Sequence, residues 1–187
     1  MKKFELTNEF ITNMFGTKLF RIRALVEFGD VEAGELGGYV EKESNLGHDD
    51  NAWVYDNAWV YGDAQVSGDA LVYDNAWVYG DAQVSGDARV CGNARVYGDA
   101  RVCGNGDYAY AHGFGSVNRT TTFFRLKDGG VGVRCGCFYG TLAQFRDKIR
   151  ETHGETKKAQ EYLMLADLME LRFEEDENEV GNRKYVE

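Results

Sequence analysis

The sequence predicts a mainly β protein in which a parallel β-solenoid is followed by a small C-terminal unit of two strands and two helices. Two periods carry this prediction, one of six residues that runs without a gap from 52 to 105 and one of eighteen residues above it. Repetition at a fixed short period is the signature of a solenoid. The 187 residues also include 23 glycines and no proline, so that turns must rely on Gly, Asn and Asp.

The hexads alternate in the way that a short, half-buried strand requires. They read AWVYDN, AWVYGD, AQVSGD, ALVYDN, AWVYGD, AQVSGD, ARVCGN, ARVYGD and ARVCGN. Ala and Val fall on one face of each strand, where small side chains fill a narrow interior, and Gly-Asp or Asp-Asn forms the corner. A helix is excluded, because a period of six residues cannot keep one apolar stripe on a helix surface.

The outward positions of the hexads predict a binding surface. If three hexads make one coil, residues eighteen apart stack at about 4.8 Å. Two of the three faces are then aromatic, and the third, with Gln65, Gln83 and Arg101, is polar. Large aromatic surfaces rarely stay exposed, and Trp, Tyr and Arg dominate binding hot spots. Ordinary stacking between strands is the alternative. The predicted binding residues are Trp53, Trp59, Trp77, Tyr55, Tyr61, Tyr73, Tyr79, Tyr97, Arg89, Arg95 and Arg101.

The flanks divide the chain into four segments. We assign 1–39 to an N-terminal β cap with a strand at 19–25, because the open end of a solenoid must be covered. The solenoid spans 40–117, with two degenerate hexads at 40–51 and an exit at 106–117. Residues 118–173 form a hairpin, with strands at 121–126 and 131–138, and two helices that begin after the capping residues Thr141 and Thr156. The acidic segment 174–187 is a tail.

An aliphatic residue followed four positions later by a small one, as in Val54/Ala58 and Val60/Ala64, resembles the hexapeptide-repeat family. The resemblance implies a left-handed parallel β-helix that commonly forms trimers. Segments 19–25, 36–41 and 135–142 also resemble those of uncharacterised hexapeptide-repeat proteins of bacteria and their phages. This second likeness implies a phage-encoded protein and brings no settled activity.

Many members of that family are acyltransferases that use a coenzyme A thioester and a histidine base. If this chain were one, His48 or His112 would be the base, yet neither has a neighbour in the sequence that would orient it. We therefore expect no catalytic residue and no cofactor. The repeats contain no histidine for a zinc site. Cys135 and Cys137 are expected on one side of a strand as small apolar residues, too few to bind a metal.

Charge and composition limit the partners. The net charge is −10, which argues against direct binding to nucleic acid. No apolar run follows Met1, so we expect neither a signal peptide nor a membrane segment, and a cytoplasmic location. We predict a non-enzymatic homo-oligomer, a trimer, that binds a host protein or small ligand in the host cytoplasm and blocks or sequesters a host factor, such as a defence component. The alternatives are an acyltransferase and an acidic nucleic-acid mimic.

Overall fold

The computed structural model describes residues 2–174, and it begins with a three-stranded antiparallel cap. Its strands are β1 (Phe4–Thr12), β2 (Lys18–Ala24) and β3 (Leu36–Val40). β1 pairs with β2, and β2 pairs with β3. β3 also pairs in parallel with a strand of the first complete coil, through Tyr39 with Trp59 and Val40 with Val60. The cap therefore leads into the solenoid through one continuous sheet, and the strand predicted near 19–25 is confirmed.

Nine short strands follow, one for each hexad. They are β4 (Trp53–Val54), β5 (Trp59–Val60), β6 (Gln65–Val66), β7 (Leu71–Val72), β8 (Trp77–Tyr79), β9 (Gln83–Val84), β10 (Arg89–Val90), β11 (Arg95–Tyr97) and β12 (Arg101–Val102). Each of the first six strands pairs in parallel with the strand eighteen residues further on, as Trp59 does with Trp77. Three sheets result, so the predicted β-solenoid with three hexads per coil is confirmed. Its left-handed sense stays a prediction.

The two degenerate hexads also belong to the coils. Val40 pairs with Val60, and Leu46 forms a parallel bridge with Val66. Between them, the buried Asn45 side chain donates hydrogen bonds to the carbonyl oxygens of residues 62 and 64, at 3.1 and 2.8 Å. These bonds satisfy backbone acceptors where the hexad pattern fails.

The interior is filled as the sequence predicts. The Ala and Val side chains of the hexads are 0% exposed throughout, from Ala52 and Val54 to Val102. The last coil is closed by the C-terminal unit, since the Arg95 amide donates to Thr122 Oγ1 at 2.9 Å and the Lys127 amide donates to the Asp99 carbonyl at 3.0 Å. The C-terminal unit therefore covers part of the edge of the last coil, which limits pairing with other chains there.

The C-terminal unit has more strands than the sequence predicted. It contains β13 (Tyr108–Phe114), β14 (Arg119–Arg125), β15 (Val131–Cys135), β16 (Phe138–Thr141), α1 (Leu142–His153) and α2 (Lys157–Phe173). The segment 106–117, expected to be only an exit, supplies β13, which pairs antiparallel with β14. The expected return strand 131–138 is broken at Gly136, where a positive φ of 60° turns the chain between β15 and β16.

Both helix starts agree with the sequence. Thr141 Oγ1 accepts from the Gln144 amide, and Gln144 Oε1 accepts from the Thr141 amide, so the capping box is confirmed. Thr156 caps α2, whose face from Ala159 to Phe173 packs on the four-stranded sheet. Neither helix is long and apolar enough to cross a membrane, among the residues described. The predicted acidic tail lies, after Glu174, outside the described residues.

Candidate binding groove

A row of aromatic and cationic side chains crosses the outer face of the sheet β1-β2-β3-β5-β8-β11. Strand register aligns Arg21, Tyr39, Trp59, Trp77 and Arg95 in that order, and we call this set the aromatic row. The Trp59 and Trp77 rings are parallel within 8°, with centroids 4.4 Å apart. Arg95 Cζ lies 4.1 Å from the Trp77 ring, and Arg21 Cζ lies 5.1 Å from the Tyr39 ring. A guanidinium therefore stacks at each end of the row.

The row forms one wall of an open groove of about 450 Å³. Ile11 of β1 and a column of three asparagines, Asn57, Asn75 and Asn93, complete the lining. Each asparagine is the last residue of its hexad, directly before the Ala that begins the next hexad. The repeat therefore places one asparagine beside the row in each coil. The lining residues are Ile11, Tyr39, Asn57, Trp59, Asn75, Trp77, Asn93 and Arg95, and we call this feature the groove.

The backbone N–H groups of Asn57 and Asn75 are paired within the coils, whereas the three asparagine side chains are unpaired among the described residues. The Asn57 amide donates to the carbonyl of residue 74, and the Asn75 amide donates to that of residue 92, both at 3.0 Å. The side-chain amides of Asn57, Asn75 and Asn93 make no hydrogen bond to any residue between 2 and 174. An amide group both donates and accepts, so this column offers paired hydrogen-bonding groups once per coil.

A second row on the same sheet is covered by the chain itself. Tyr61 and Tyr79 stack at 5.0 Å, and Tyr79 and Tyr97 lie 4.6 Å apart. The sequence predicted an exposed surface here, but Tyr61 and Tyr79 are only 8% and 9% exposed, in one cluster with the buried Leu19 of β2. Burial raises the pKa of both phenols. The β1-β2 hairpin thus removes these two residues from the candidate binding surface.

Trp53 is also buried rather than exposed. Its side chain is 0% exposed, with the rings of Phe28 and Phe4 edge-on at 5.3 and 6.2 Å. The hexad pattern places it outside the coil, as predicted, but the N-terminal segment packs over it. A partner cannot reach Trp53 without displacing the cap.

The other predicted binding residues are spread over three faces. Tyr55 and Tyr73 are half-buried and lie on the face that carries the exposed Arg89, whereas Arg101 is half-buried on the polar face. Tyr97 lies against Tyr139, with the ring centroids 4.8 Å apart. Of the predicted set, only Trp59, Trp77 and Arg95 line the groove.

The candidate catalytic histidines have structural contacts and do not line the groove. His48 stacks on Phe4 at 4.5 Å, and its Nδ1 accepts from the Lys3 amide at 3.2 Å. His112 is exposed on β13, and its Nδ1 lies 2.9 Å from Thr120 Oγ1. His48 therefore lies in a degenerate hexad and packs against the N-terminal cap, whereas His112 belongs to the C-terminal sheet.

The cysteine prediction is partly wrong. Cys135 is buried and accepts a hydrogen bond from Thr121 Oγ1 at 3.2 Å, but Cys137 is exposed in the turn after β15, so the two thiols do not share one strand face. All four cysteines are free. No group of three or more potential metal ligands occurs within residues 2–174.

Comparison with known families agrees with this geometry. Residues 64–80, 82–94 and 88–104 match the YdcK beta solenoid repeat. The chain is a β-solenoid repeat protein. The matched segments of this β-solenoid supply Asn75, Trp77, Asn93 and Arg95 to the groove. No curated protein matches the chain.

Sequence reasoning missed four residues of the groove wall that the repeat itself could have indicated. Tyr39 precedes Val40 as Trp59 precedes Val60, so extending the frame into the degenerate hexads would have added it to the row. The three asparagines are visible as a column at a period of eighteen. Ile11 has no such signal, because only the fold of the β1-β2 hairpin brings it to the groove.

Proposed function

We propose that this β-solenoid is a non-enzymatic binding protein that holds its partner in the groove. The observation that carries the proposal is the half-buried Trp59–Trp77 pair, stacked at 4.4 Å and followed by Arg95 along an open groove. Tryptophan and arginine are the side chains that most often dominate binding energy. Their fixed stacking also lowers the conformational entropy that is lost when a partner binds.

The mode of action that fits this surface is sequestration. Both histidines that could serve as a base make structural contacts outside the groove. The likeness to hexapeptide-repeat proteins of phages supports a host factor, such as a defence component, as the partner. Blocking such a factor requires only affinity and a surface that covers it, so no catalytic group is needed for this role.

Self-association into a trimer is part of the same proposal. Trp59 and Trp77 keep part of their surface exposed in the single chain, and hexapeptide-repeat solenoids commonly associate side by side. Such an assembly would hold the grooves of three subunits close to one another, so that one partner could contact more than one groove.

The decisive experiment compares capture of host proteins by three forms of the protein. Trp77→Ala removes one of the two stacked indoles of the aromatic row, whereas Gln83→Ala truncates a side chain of the same coil on the polar face. We expect Trp77→Ala to lower recovery of the partner at least tenfold and Gln83→Ala to leave it unchanged, read by quantitative mass spectrometry. Equal recovery with all three forms would contradict the proposal.

A second experiment separates binding from acyl transfer. We expect acetyl-CoA to give no heat of binding in calorimetry, and His112→Ala to leave partner capture unchanged. Turnover of acetyl-CoA with an amine or hydroxyl acceptor, lost in His48→Ala or His112→Ala with the fold intact, would show that the protein is an acyltransferase.

A further inference from the structure

A threefold assembly needs two different contact surfaces on every subunit. Contacts around a threefold axis are heterologous, so the surface that one subunit offers meets a different surface of the next. In the proposed trimer, one of these surfaces is the pair of half-buried indoles, Trp59 and Trp77, whose stacking leaves their ring edges toward solvent. The other surface should therefore be an apolar element elsewhere on the chain.

The turn between β1 and β2 is such an element. Met14 and Phe15 are 80% and 76% exposed, and Phe10 at the base of the turn is 46% exposed. Lys18 Nζ lies 4.4 Å from the centroid of the Phe10 ring. We call Phe10, Met14, Phe15 and Lys18 the hairpin tip. It combines three apolar side chains with one cation.

Asn13 holds the hairpin tip in one turn conformation. Its side chain is 7% exposed, and its Oδ1 accepts hydrogen bonds from the amides of Phe15 and Thr17 at 2.9 and 3.0 Å. The Asn13 amide in turn donates to the Thr17 carbonyl at 3.0 Å. Because the backbone of the turn is already fixed, little conformational entropy is lost when its apolar side chains are covered.

The hairpin also lies beside the coils that carry the two indoles. Ile11, three residues before Met14, lines the groove together with Trp59 and Trp77. Subunits that pack side by side meet at equal heights along the solenoid. The hairpin tip of one subunit is therefore placed to meet the indoles of the next.

Charge favours the same contact. Lys18 is exposed and forms no ion pair with any residue between 2 and 174. Asp56 and Asp74 are exposed at the corner that leads into the Trp strands, and neither is in an ion pair within the same range. A cation on one surface thus faces two carboxylates on the other, in a chain whose net charge of −10 otherwise opposes association.

We propose that the hairpin tip of one subunit packs on the exposed edges of Trp59 and Trp77 of the next, with Lys18 facing Asp56 and Asp74. The contact covers part of each indole and leaves the rest of the groove open. This inference rests on the trimer of the proposed function and names the element of the neighbouring subunit that makes the contact.

The first test removes the apolar end of the tip. Phe15→Ser should weaken the trimer at least tenfold, measured by native mass spectrometry and light scattering over a range of concentrations. The matched control is Phe114→Ser, which changes a 45% exposed phenylalanine of β13 and should alter assembly less than twofold. Circular dichroism shows whether both variants keep the fold.

The second test mixes two variants that each lack one of the two surfaces. Phe15→Ser retains the indoles, and Trp77→Ala retains the hairpin tip, so one productive contact can form between them but a closed ring cannot. We expect the mixture to contain heterodimers that neither variant forms alone, detected by native mass spectrometry. A contact between identical Trp surfaces would give no heterodimer.

The third test asks whether Lys18 and Asp74 interact across the interface. Lys18→Met and Asp74→Asn should each weaken the trimer about twofold to fivefold, and the double variant should weaken it no more than the larger single change. Asparagine keeps the turn at Asp74, where φ is 60°. The control is Asp81→Asn at the next corner, which should show no coupling to Lys18→Met.

A trimer that persists in Phe15→Ser, an equal loss in Phe114→Ser, a mixture without heterodimers or additive effects of Lys18→Met and Asp74→Asn would overturn the inference. A monomeric wild type would also overturn it. Capture of the partner tests the proposed function separately. If Trp77→Ala abolishes capture and Phe15→Ser leaves it unchanged, the binding function stands whatever the mass of the assembly, and if neither variant changes capture, the binding function fails.

Discussion

At the residue scale, the solenoid depends on side chains that are small enough for its interior and apolar. Every hexad valine and alanine is 0% exposed, and the coils leave no room for a larger or charged group. The constraint follows from strand geometry, since successive side chains point to opposite faces and every second one must enter the narrow core. Outward residues carry no such restriction, which is why Trp, Leu, Gln and Arg alternate there.

Val78→Asp tests this constraint. We expect it to lower the free energy of unfolding by at least about 4 kcal/mol, enough to unfold most of the protein, because it buries an unpaired charge. Thermal unfolding followed by circular dichroism measures the change. The control is Gln65→Asp at an exposed outward position, for which we expect a loss below about 1 kcal/mol. Similar losses for both variants would contradict the assigned register.

Lys3 gives a prediction about pH. Its side chain is 3% exposed, its ammonium donates to the carbonyl of Ala52 at 2.9 Å, and burial lowers its pKa from 10.5 to about 8. Between these values the unfolded chain holds more protons than the folded one, so the free energy of unfolding rises with pH across that interval.

From pH 8 to pH 10, we expect the free energy of unfolding of the wild type to rise more than that of Lys3→Met, by on the order of 1–2 kcal/mol. Chemical denaturation at closely spaced pH values measures it, and Lys2→Met, at a half-exposed neighbour, is the control. Burial also raises the pKa of Tyr61 and Tyr79. These two tyrosines therefore lower the free energy of unfolding only above pH 10, where the unfolded chain begins to lose their protons, and they do so equally in the wild type and the variants. Parallel curves for wild type and Lys3→Met would contradict the assignment.

At the scale of the elements, β3 is the junction on which the cap and the coil depend. Gly37 and Gly38 lie inside this strand where it packs on the first complete coil. A Cβ atom on Gly38 would lie 2.7 Å from both the Ala58 carbonyl oxygen and Val54 Cγ1. The close approach allows Tyr39 to continue the aromatic row from the coils into the cap. Glycine is required here for space, since neither φ is in the left-handed region.

Gly38→Ala should therefore lower the free energy of unfolding by about 1–3 kcal/mol, the usual cost of overpacking a core. Gly106→Ala is the matched control, because nothing lies within 4 Å of the Cβ atom that it adds. We expect the control to change stability by less than about 0.5 kcal/mol. Urea denaturation of the two variants compares them directly, and an unchanged midpoint for Gly38→Ala would refute the close packing of β3.

At the scale of the whole molecule, the groove and the outer face of α2 are two of the surfaces suited to association. On α2, Met164, Leu168 and Leu171 are 72%, 54% and 68% exposed. These three residues recur at helical spacing, directly opposite the face of α2 that packs on the sheet. Either surface could bring subunits together, so the assembly must be tested at both.

We predict a trimer in which a neighbouring subunit covers part of Trp59 and Trp77 while the groove beside them stays open to the partner. Native mass spectrometry and light scattering at micromolar concentration measure the mass of the assembly. Trp77→Ala should shift the mass toward the monomer, because it removes one of the two stacked indoles, whereas Leu168→Gln should leave the trimer intact. A monomeric wild type would defeat the prediction of a trimer but not the proposed binding of a partner in the groove. A shift caused by Leu168→Gln alone would place the interface on α2.

The repeat made the solenoid predictable because the eighteen-residue period of the sequence is also the spacing of paired residues in the coils. Residues eighteen apart had to stack once three hexads formed a coil, so the Trp59–Trp77 contact and the buried valines followed from spacing. The flanks were less predictable. One exit segment became β13, and one expected strand was divided at Gly136, because both outcomes depend on contacts with strands distant in sequence.

The sequence by itself determined which side chains point outward from the coils, since a period of two along each strand fixes that. Only the tertiary structure decided which outward residues remain accessible. The N-terminal segment covers Trp53, and the β1-β2 hairpin covers Tyr61 and Tyr79, whereas Trp59 and Trp77 keep an open side. The covering segments are distant in sequence from the residues that they bury. Periodicity predicts on which face of its own strand a side chain lies, but it does not predict which distant segment packs over that face.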